Sequence, residues 1–231
     1  MNKNTFILIL TLTFLSASLF SQVNLGFSAG VNASKVSSGD FAGFSPNFKS
    51  IDGSRLAALV EIELTDKFSI QPEIAYTNRG FKIKEGLDLK LFGFDLPLGV
   101  EAVTKFKYIE IPLLAKYKFG NKAVKAYVIA GPNFGYATKG KLKTKANFII
   151  DIPISSSEIN LNSNNIQRFD FSGVIGAGLD FNVGKGSIFF DARYIHAFTK
   201  MDNISIVDLS VKNRNFGVNL GYKFQLNQSP L

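Results

Sequence analysis

The sequence predicts an all-β fold, an eight-stranded antiparallel up-and-down transmembrane β-barrel, and three observations support this prediction. The 231 residues include 23 Phe, 7 Tyr and 20 Gly, a composition that suits strands better than helices. Apolar and polar residues alternate with a period of two in eight segments. The connections between these segments are short and long in turn, which is typical of barrels that span a membrane.

The N-terminal residues form a region of their own. In MNKNTFILILTLTFLSASLFSQ, Lys3 precedes an apolar run over residues 6–15, and mostly small residues follow up to Ser21. This order is typical of a secretory signal peptide, and the run is too short to cross a hydrocarbon core of about 30 Å. We therefore expect residues 1–21 to be a cleaved signal peptide and residues 22–231 to form the barrel domain.

The first four segments alternate clearly. Residues 22–32, QVNLGFSAGVN, have an apolar residue at every second position. Residues 55–64 and 68–79 set aliphatic and aromatic side chains against glutamates and other polar residues. Residues 107–120, KYIEIPLLAKYKFG, set a similar apolar face against a glutamate, a proline and lysines. Because Pro112 has no backbone N–H, we expect a bulge or a local break in pairing there.

The last four segments follow the same rule with unequal clarity. Residues 124–137, VKAYVIAGPNFGYA, divide least cleanly into two faces. Residues 169–183 set Phe, Ile and Leu against Asp, Ser and Gly, and residues 187–198 set Ile, Phe and Tyr against charged and mixed residues. Residues 212–226 divide most cleanly, since apolar residues alternate there with Asn, Gly, Lys and Gln.

The connections alternate in length along the chain. Short turns are expected at residues 65–67, 120–123 and 184–186. Long polar loops are expected at residues 33–54, 80–104, 138–168 and 199–211. Outer-membrane barrels have short periplasmic turns and long external loops, so we expect both termini on the periplasmic side.

A soluble eight-stranded barrel of the lipocalin type is the alternative architecture, with the apolar face turned inward. Two observations favour the membrane barrel. The polar face is rich in Gly, Ser and Asn, which suits a narrow lumen. Apolar segments also end in aromatic residues, as expected for girdles at two membrane interfaces. These residues are Tyr76, Tyr117, Phe119, Tyr136, Phe181, Tyr194 and Phe224.

The polar face also carries charges that the barrel would enclose. An eight-stranded barrel is only just wide enough inside for side chains, so enclosed charges must pair. We expect a structural charge network of Glu61, Glu73, Glu110, Lys116, Asp180, Asp191 and Arg193. Within this network, the acids Glu73, Glu110 and Asp191 are expected to lie near Arg193 or Lys116. A proton or ion path through the same charges is the alternative interpretation.

Four lysines, Lys139, Lys141, Lys143 and Lys145, alternate in the polar stretch TKGKLKTKAN. One interpretation is contact with the phosphates of surface lipopolysaccharide. The other is a solvated strand edge whose lysines prevent edge-to-edge aggregation. The formal net charge of +8 at pH 7 is spread along the chain, which favours an anionic membrane surface over nucleic acid as the counterpart.

His196 is the one histidine, and the chain contains no cysteine. These counts exclude a histidine or cysteine metal cluster, a disulfide and thiolate chemistry, and we expect no metal and no cofactor. His196 lies in the outward row with Tyr194 and Phe198, which favours an aromatic residue at the membrane interface. The alternative is the catalytic base of an outer-leaflet lipid hydrolase.

Five motifs together resemble a known family. They are QPEIAYTNRG at 71–80, YIEIPLLAKY at 108–117, AGPNFGY at 130–136, GAGLDF at 176–181 and DARY at 191–194. In this order they resemble the PorT-like or porin-like outer-membrane β-barrel proteins over the whole mature chain. The resemblance implies an eight-stranded outer-membrane barrel that is not a known enzyme. For the PorT proteins themselves, it implies a link to protein secretion.

These expectations combine into one functional hypothesis with alternatives. We expect a monomeric, non-enzymatic outer-membrane protein of a Gram-negative-type cell, with an occluded lumen and a structural, surface-binding or secretion-accessory role. Its expected partners are outer-membrane lipid and lipopolysaccharide, the barrel-assembly machinery and secretion-system components, and not nucleic acid. The first alternative is a small porin-like diffusion channel, and the second is lipid hydrolysis.

Overall fold

The computed structural model describes most of the chain as β-strands. The described residues are 22–38, 48–91, 94–121, 123–147, 151–159, 161, 168–199 and 211–226. The strands are β1 (Gln22–Ser38), β2 (Phe48–Glu63), β3 (Phe68–Leu91), β4 (Phe94–Gly120), β5 (Val124–Asn147), β6 (Asp151–Ile159), β7 (Phe169–Val183), β8 (Gly186–Ala197) and β9 (Val211–Gln225). No helix in these ranges is long and apolar enough to cross a bilayer.

Eight of the strands close into an antiparallel barrel. Neighbours along the chain pair from β1 to β5, β5 then pairs with β7, and β7 to β9 continue the wall. The first and last strands close it, with a ladder from Asn24↔Gln225 to Ser38↔Val211. β6 pairs with the extension of β5 between Gly140 and Asn147 and is not part of the ring. The predicted eight-stranded antiparallel barrel is therefore confirmed.

The two faces of the wall are inverted relative to a soluble protein. In β4, Ile109, Ile111 and Leu113 are between 44% and 46% exposed, whereas Glu110 and Lys116 are at most 1% exposed. The same alternation continues around the ring, because successive side chains of a strand point to opposite faces. Apolar residues thus face outward, where a bilayer covers them, and the lipocalin alternative is wrong.

The short turns follow from their local sequences. Gly184 has a φ of 60° in the two-residue turn between Val183 and Gly186, and Gly120 has a φ of 126° at the end of β4. Both angles favour glycine. Asn121 accepts hydrogen bonds from the backbone N–H groups of Ala123 and Val124, at 3.0 Å and 2.9 Å, which closes the β4–β5 turn.

The strands are longer than predicted on the opposite side of the barrel. β3 and β4 continue as a paired ribbon to Leu91 and Phe94, and β5 pairs with β6 in the region predicted to be a loop. β1 also continues to Ser38, and β2 begins at Phe48. In β3 the alternation of FKIK and LDLKL is interrupted at Glu85 and Gly86, and the segment was predicted as part of a polar loop. Residues 1–21 and 200–210, which include the predicted signal peptide and most of the fourth loop, lie outside the described residues.

Pro112 does not shift the register of the wall. The β3–β4 ladder has the same register at Pro72↔Leu113 and at Ala75↔Glu110, on either side of Pro112. The irregularity between β4 and β5 instead lies at Lys107 and Tyr108, where the pairing moves by one residue. Between these two pairs the ladder gives Ile111 and Pro112 no partner on β3, so the pairing breaks locally as expected, without a bulge. The two faces of β4 do not exchange.

An apolar cluster occupies part of the lumen. It was not predicted, because the inward face was interpreted as polar throughout. Its members are Leu59, Leu114, Tyr127, Ile129, Val174 and Phe189, with Ile195 packed against them. Side chains on inward-facing positions fill the interior of a barrel of this size, so these residues and the charges pack in one enclosed space.

Candidate functional site: the charged lumen

Twelve charged side chains are buried in the described part of the lumen, six cations and six acids. The cations are Arg55, Arg79, Lys116, Lys118, Arg193 and Lys223, and the acids are Glu61, Glu73, Glu110, Asp170, Asp180 and Asp191. Every one of them belongs to at least one ion pair. They form three clusters at successive heights.

The turn-side cluster lies nearest the short turns and comprises Glu61, Lys116, Lys118, Asp180 and Lys223. Glu61 is its centre, with the Nζ atoms of Lys116 and Lys118 at 3.1 Å and 3.0 Å and that of Lys223 at 2.5 Å. Asp180 shares two of these partners, Lys223 and Lys116, the latter at 3.3 Å. Because these residues come from four strands, β2, β4, β7 and β9, the cluster ties a large part of the ring together.

The central cluster comprises Arg55, Glu73, Asp191 and Arg193. Arg193 Nε donates to Asp191 Oδ1 at 2.9 Å, and its Nη2 donates to Asp191 Oδ2 at 2.8 Å. Residues 191 and 193 share a face of β8, which allows this two-point contact along one strand. Arg193 Nη1 also donates to both oxygens of Glu73 at 2.9 Å, and Arg55 is the second cation on Glu73. Each acid of this cluster thus has a guanidinium partner.

The loop-side cluster comprises Arg79, Glu110 and Asp170. Arg79 Nη2 lies 2.6 Å from Glu110 Oε1, and Arg79 Nη1 lies 3.1 Å from Asp170 Oδ2. Glu110 is therefore paired with Arg79, and not with Arg193 or Lys116, although Glu110 and Arg193 line the same small cavity. Glu110 and Lys116 are six residues apart on β4, about 20 Å along the strand, which is beyond the reach of a lysine side chain. Alternation predicts the face of a residue but not the height of its partner.

Tyr127 connects the turn-side and central clusters. Its hydroxyl donates to Asp191 Oδ2 at 3.1 Å, and Lys116 Nζ lies 3.8 Å from the centre of its ring. Gly178 faces Tyr127 across the β5–β7 ladder, and a Cβ atom at Gly178 would lie 2.5 Å from Tyr127 Cζ. A glycine in the opposing strand therefore gives the aromatic ring the space to lie across the lumen.

Little space separates the upper two clusters. A cavity of about 20 Å³ lies between them, lined in part by Arg55, Thr77, Glu110, Arg193 and Asn215. This volume is close to that of a single water-sized probe. A larger cavity of about 200 Å³ lies at the turn-side mouth, where the half-buried Glu63 accepts from Lys118 at 2.7 Å.

The seven predicted network residues all lie inside the barrel, but they do not form one group. Glu61, Lys116 and Asp180 lie in the turn-side cluster, and Glu73, Asp191 and Arg193 in the central cluster. Glu110 lies in the loop-side cluster. The predicted network left out five of the twelve buried charges, although each has the parity of an inward-facing neighbour. These five are Arg55, Arg79, Lys118, Asp170 and Lys223. Applying alternation to every charged residue would have found them.

Three of the four predicted lysines lie on the outer face of the barrel. The side chains of Lys139, Lys141 and Lys143 are exposed on the β5 extension. The backbone of Lys145 continues the same strand and faces Pro153 of β6. β6 covers the strand edge that the second interpretation assumed to be solvated, because it pairs with β5 along residues 140–147.

His196 lies on the outer face near the loop-side rim. The Tyr194 hydroxyl is 3.5 Å from His196 Nδ1, and the Phe198 ring centre is 5.7 Å from that of the imidazole. These are contacts with aromatic neighbours in the outward row. Among the described residues, no group of three or more His, Cys, Asp or Glu side chains is arranged to hold a metal ion.

Comparison with known proteins gives one family match and several structural likenesses. A family described as "Outer membrane protein beta-barrel domain" matches residues 16–203. The attachment invasion locus protein Ail of Yersinia pestis is similar at 21% identity, covering 88% of this chain and 99% of that chain with a TM-score of 0.42. OprG of Pseudomonas aeruginosa has 12% identity, 90% and 96% coverage and a TM-score of 0.44. The outer membrane enzyme PagL has 18% identity, 86% and 98% coverage and a TM-score of 0.39. No curated protein sequence matches the chain.

Proposed function

This chain belongs to the outer membrane protein β-barrel domain family, and we propose that it is a non-enzymatic structural barrel with an occluded lumen and a surface-binding role. In this proposal the ion-paired side chains inside hold the wall rigid and block diffusion. The long ribbons and loops then form a fixed scaffold for contacts outside the membrane.

The complete pairing of the twelve buried charges carries this proposal. An ion crossing the lumen would have to separate pairs that connect strands across the barrel, such as Arg193 and Glu73. Removing one partner of a buried pair costs about 3–5 kcal/mol, because the other charge is left buried without compensation. A lumen closed by several such pairs supports a structural plug in preference to a path.

Conductance and thermal unfolding of the same variants test the plug. We expect the wild-type barrel to show no steady single-channel conductance in planar bilayers. Glu73→Gln and Glu110→Gln should each unfold at a lower temperature, since each leaves an arginine short of a partner. Asp66→Asn, at an exposed turn carboxylate, is the control for loss of one negative charge. Steady wild-type conductance that changes in Glu110→Gln, with unchanged unfolding, would instead support the small diffusion channel.

The proposal includes the processing and partners expected from the sequence. Cleavage before Gln22 would leave a mature chain whose intact mass identifies the cleavage site. The barrel-assembly machinery would insert it as a monomer, with outer-membrane lipid and lipopolysaccharide around the wall. The resemblance to PorT-like proteins supports a secretion-accessory role as an extension. Co-purification from native membranes tests it, because secretion components should accompany the wild-type protein.

A further inference from the structure

Lysines from neighbouring strands meet on the outer face at the loop-side rim. The ladders place Asn78, Lys107 and Lys139 side by side on β3, β4 and β5, and a hydrogen bond joins Asn78 to Ser54 of β2. One step further out, Lys105 of β4 faces Lys141 of β5. The lysines of β4 and those of β5 are far apart in the sequence, and the register between the two strands brings them together.

The height of this group is set by the apolar belt below it. On β4, outward residues from Ile109 to Phe119 are apolar, which is ten residue steps. At about 3.3 Å per residue and a strand tilt of about 40°, this run spans about 25 Å, the height of the lipid-facing band of an outer-membrane barrel. Lys107 follows Ile109 directly on the same face, so it lies at the level of the lipid headgroups. Its Nζ is 5.9 Å from the ring centre of Tyr76, an aromatic residue at the edge of the belt.

The local charges favour an anion at this position. Like charges directly opposite on paired strands destabilise a sheet, and two such pairs, Lys105–Lys141 and Lys107–Lys139, are adjacent here. The lysines line a depression of about 530 Å³ together with Lys143. Two carboxylates, Asp52 and Glu158, lie at the same depression, so an excess of positive charge remains. An anion between the lysine pairs would relieve their repulsion.

We propose that this outward depression binds the phosphate groups of a phosphorylated glycolipid of the outer leaflet, the lipid A part of lipopolysaccharide. Lys105, Lys107, Lys139 and Lys141 supply the charge, and the Ser54 hydroxyl and Asn78 amide lie beside them. Asn78 Nδ2 donates to Ser54 Oγ at 2.8 Å, which fixes this polar pair at the edge of the site. The proposal rests on the proposed function in one respect, because it requires that the loop side of the barrel, where these lysines lie, is the cell exterior.

Lipid A titration of the folded barrel tests the site. The mature protein, folded in detergent micelles free of lipopolysaccharide, is titrated with bisphosphorylated lipid A and the bound lipid is counted by native mass spectrometry. We expect Lys107→Gln/Lys139→Gln to bind about tenfold more weakly than wild type. Lys107→Arg/Lys139→Arg should retain binding, because the charge is kept. Lys67→Gln/Lys185→Gln removes the same charge at the short turns and should leave the affinity unchanged. Unheated gel migration verifies that each variant is folded.

Three results would overturn the proposal. Equal lipid A affinity in Lys107→Gln/Lys139→Gln and in Lys67→Gln/Lys185→Gln would show that the depression is not the binding site. Equal binding of phosphatidylglycerol, with the same loss in the site variant, would mean simple attraction to any anionic lipid. Displacement of lipid A by millimolar inorganic phosphate would identify a free anion as the ligand. None of these results depends on conductance. The lipid A site and the occluded lumen can therefore fail independently of each other.

Discussion

Arg193 on β8 contacts both carboxylate oxygens of Glu73 on β3, at 2.9 Å each, across the full width of the barrel. The two strands lie on opposite sides of the ring, four positions apart in either direction. The residues are 120 apart in the sequence. This ion pair therefore braces the wall along a diameter, a role that ladder hydrogen bonds between adjacent strands cannot perform.

Removing the arginine of this brace should destabilise the barrel strongly. We expect Arg193→Met to lower the free energy of unfolding by about 3–5 kcal/mol, because Asp191 then stays buried without its cation. The measurement is the folded fraction in lipid vesicles against urea concentration, followed by unheated gel migration. Adding Asp191→Leu should cost less than the sum of the two single changes, since the uncompensated charge is removed. Strict additivity of the two changes would contradict a coupled pair.

Tyr127→Phe should separate the two contacts of this side chain. The variant loses the hydrogen bond to Asp191, which accepts as a charged group, and we expect a loss of about 1.5–3 kcal/mol. It keeps the ring beside Lys116. Tyr127→Leu also removes the ring and should unfold at a lower urea concentration than Tyr127→Phe. Equal midpoints for the two variants would show that the ring contact adds no stability.

Lysine substitutions on the outward face should depend on depth. Ile175 is 61% exposed near the middle of β7, and Val183 is 48% exposed at its turn-side end. A lysine at the bilayer midplane costs about 2–4 kcal/mol and one near the interface about 0–1 kcal/mol. We therefore expect Ile175→Lys to be much more destabilising in vesicles than Val183→Lys. The same cost at both positions would argue against a bilayer around this face.

The absence of cysteine from the sequence allows the orientation to be measured with single cysteines. We expect a membrane-impermeant maleimide to label Lys143→Cys in intact cells but to label Asp66→Cys only after the outer membrane is permeabilised. Both side chains are exposed, one on the β5 extension and one in the β2–β3 turn. Labelling of Asp66→Cys alone in intact cells would reverse the orientation and place the lysines of the β5 extension in the periplasm.

The sequence predicts the wall of this barrel better than its interior contacts. Alternation around Ile109 and Glu110 identifies the two faces of β4, since a strand has only two directions in which to point a side chain. The bounds of β7, Phe169–Val183, agree with the prediction for the same reason. The ribbon from Gly80 to Leu91 was predicted as a loop, although apolar and polar residues alternate in FKIK and LDLKL on either side of Glu85 and Gly86.

Partner choice inside the lumen depends on strand stagger, which alternation does not contain. The β3–β4 register places Arg79 opposite Phe106 and Glu110 opposite Ala75, an offset of four residues that the long Arg79 side chain spans to reach Glu110. Asp170 reaches the same arginine from β7, 91 residues away. A single sequence gives the parity of each residue, and the register between strands gives the rest.

Lys223 lies on the last strand of the ring and is bound to Glu61 and Asp180, which lie on β2 and β7. The pair of Lys223 with Glu61 crosses the seam between β9 and β1, whereas its pair with Asp180 spans strands that β8 already connects. While the sheet is open at β1, Glu61 therefore has only the two lysines of β4. The backbone ladder between β1 and β9 and the third cation of Glu61 arrive together. A chain that stalls before this closure keeps an unpaired strand edge and leaves Glu61 with two of its three cations.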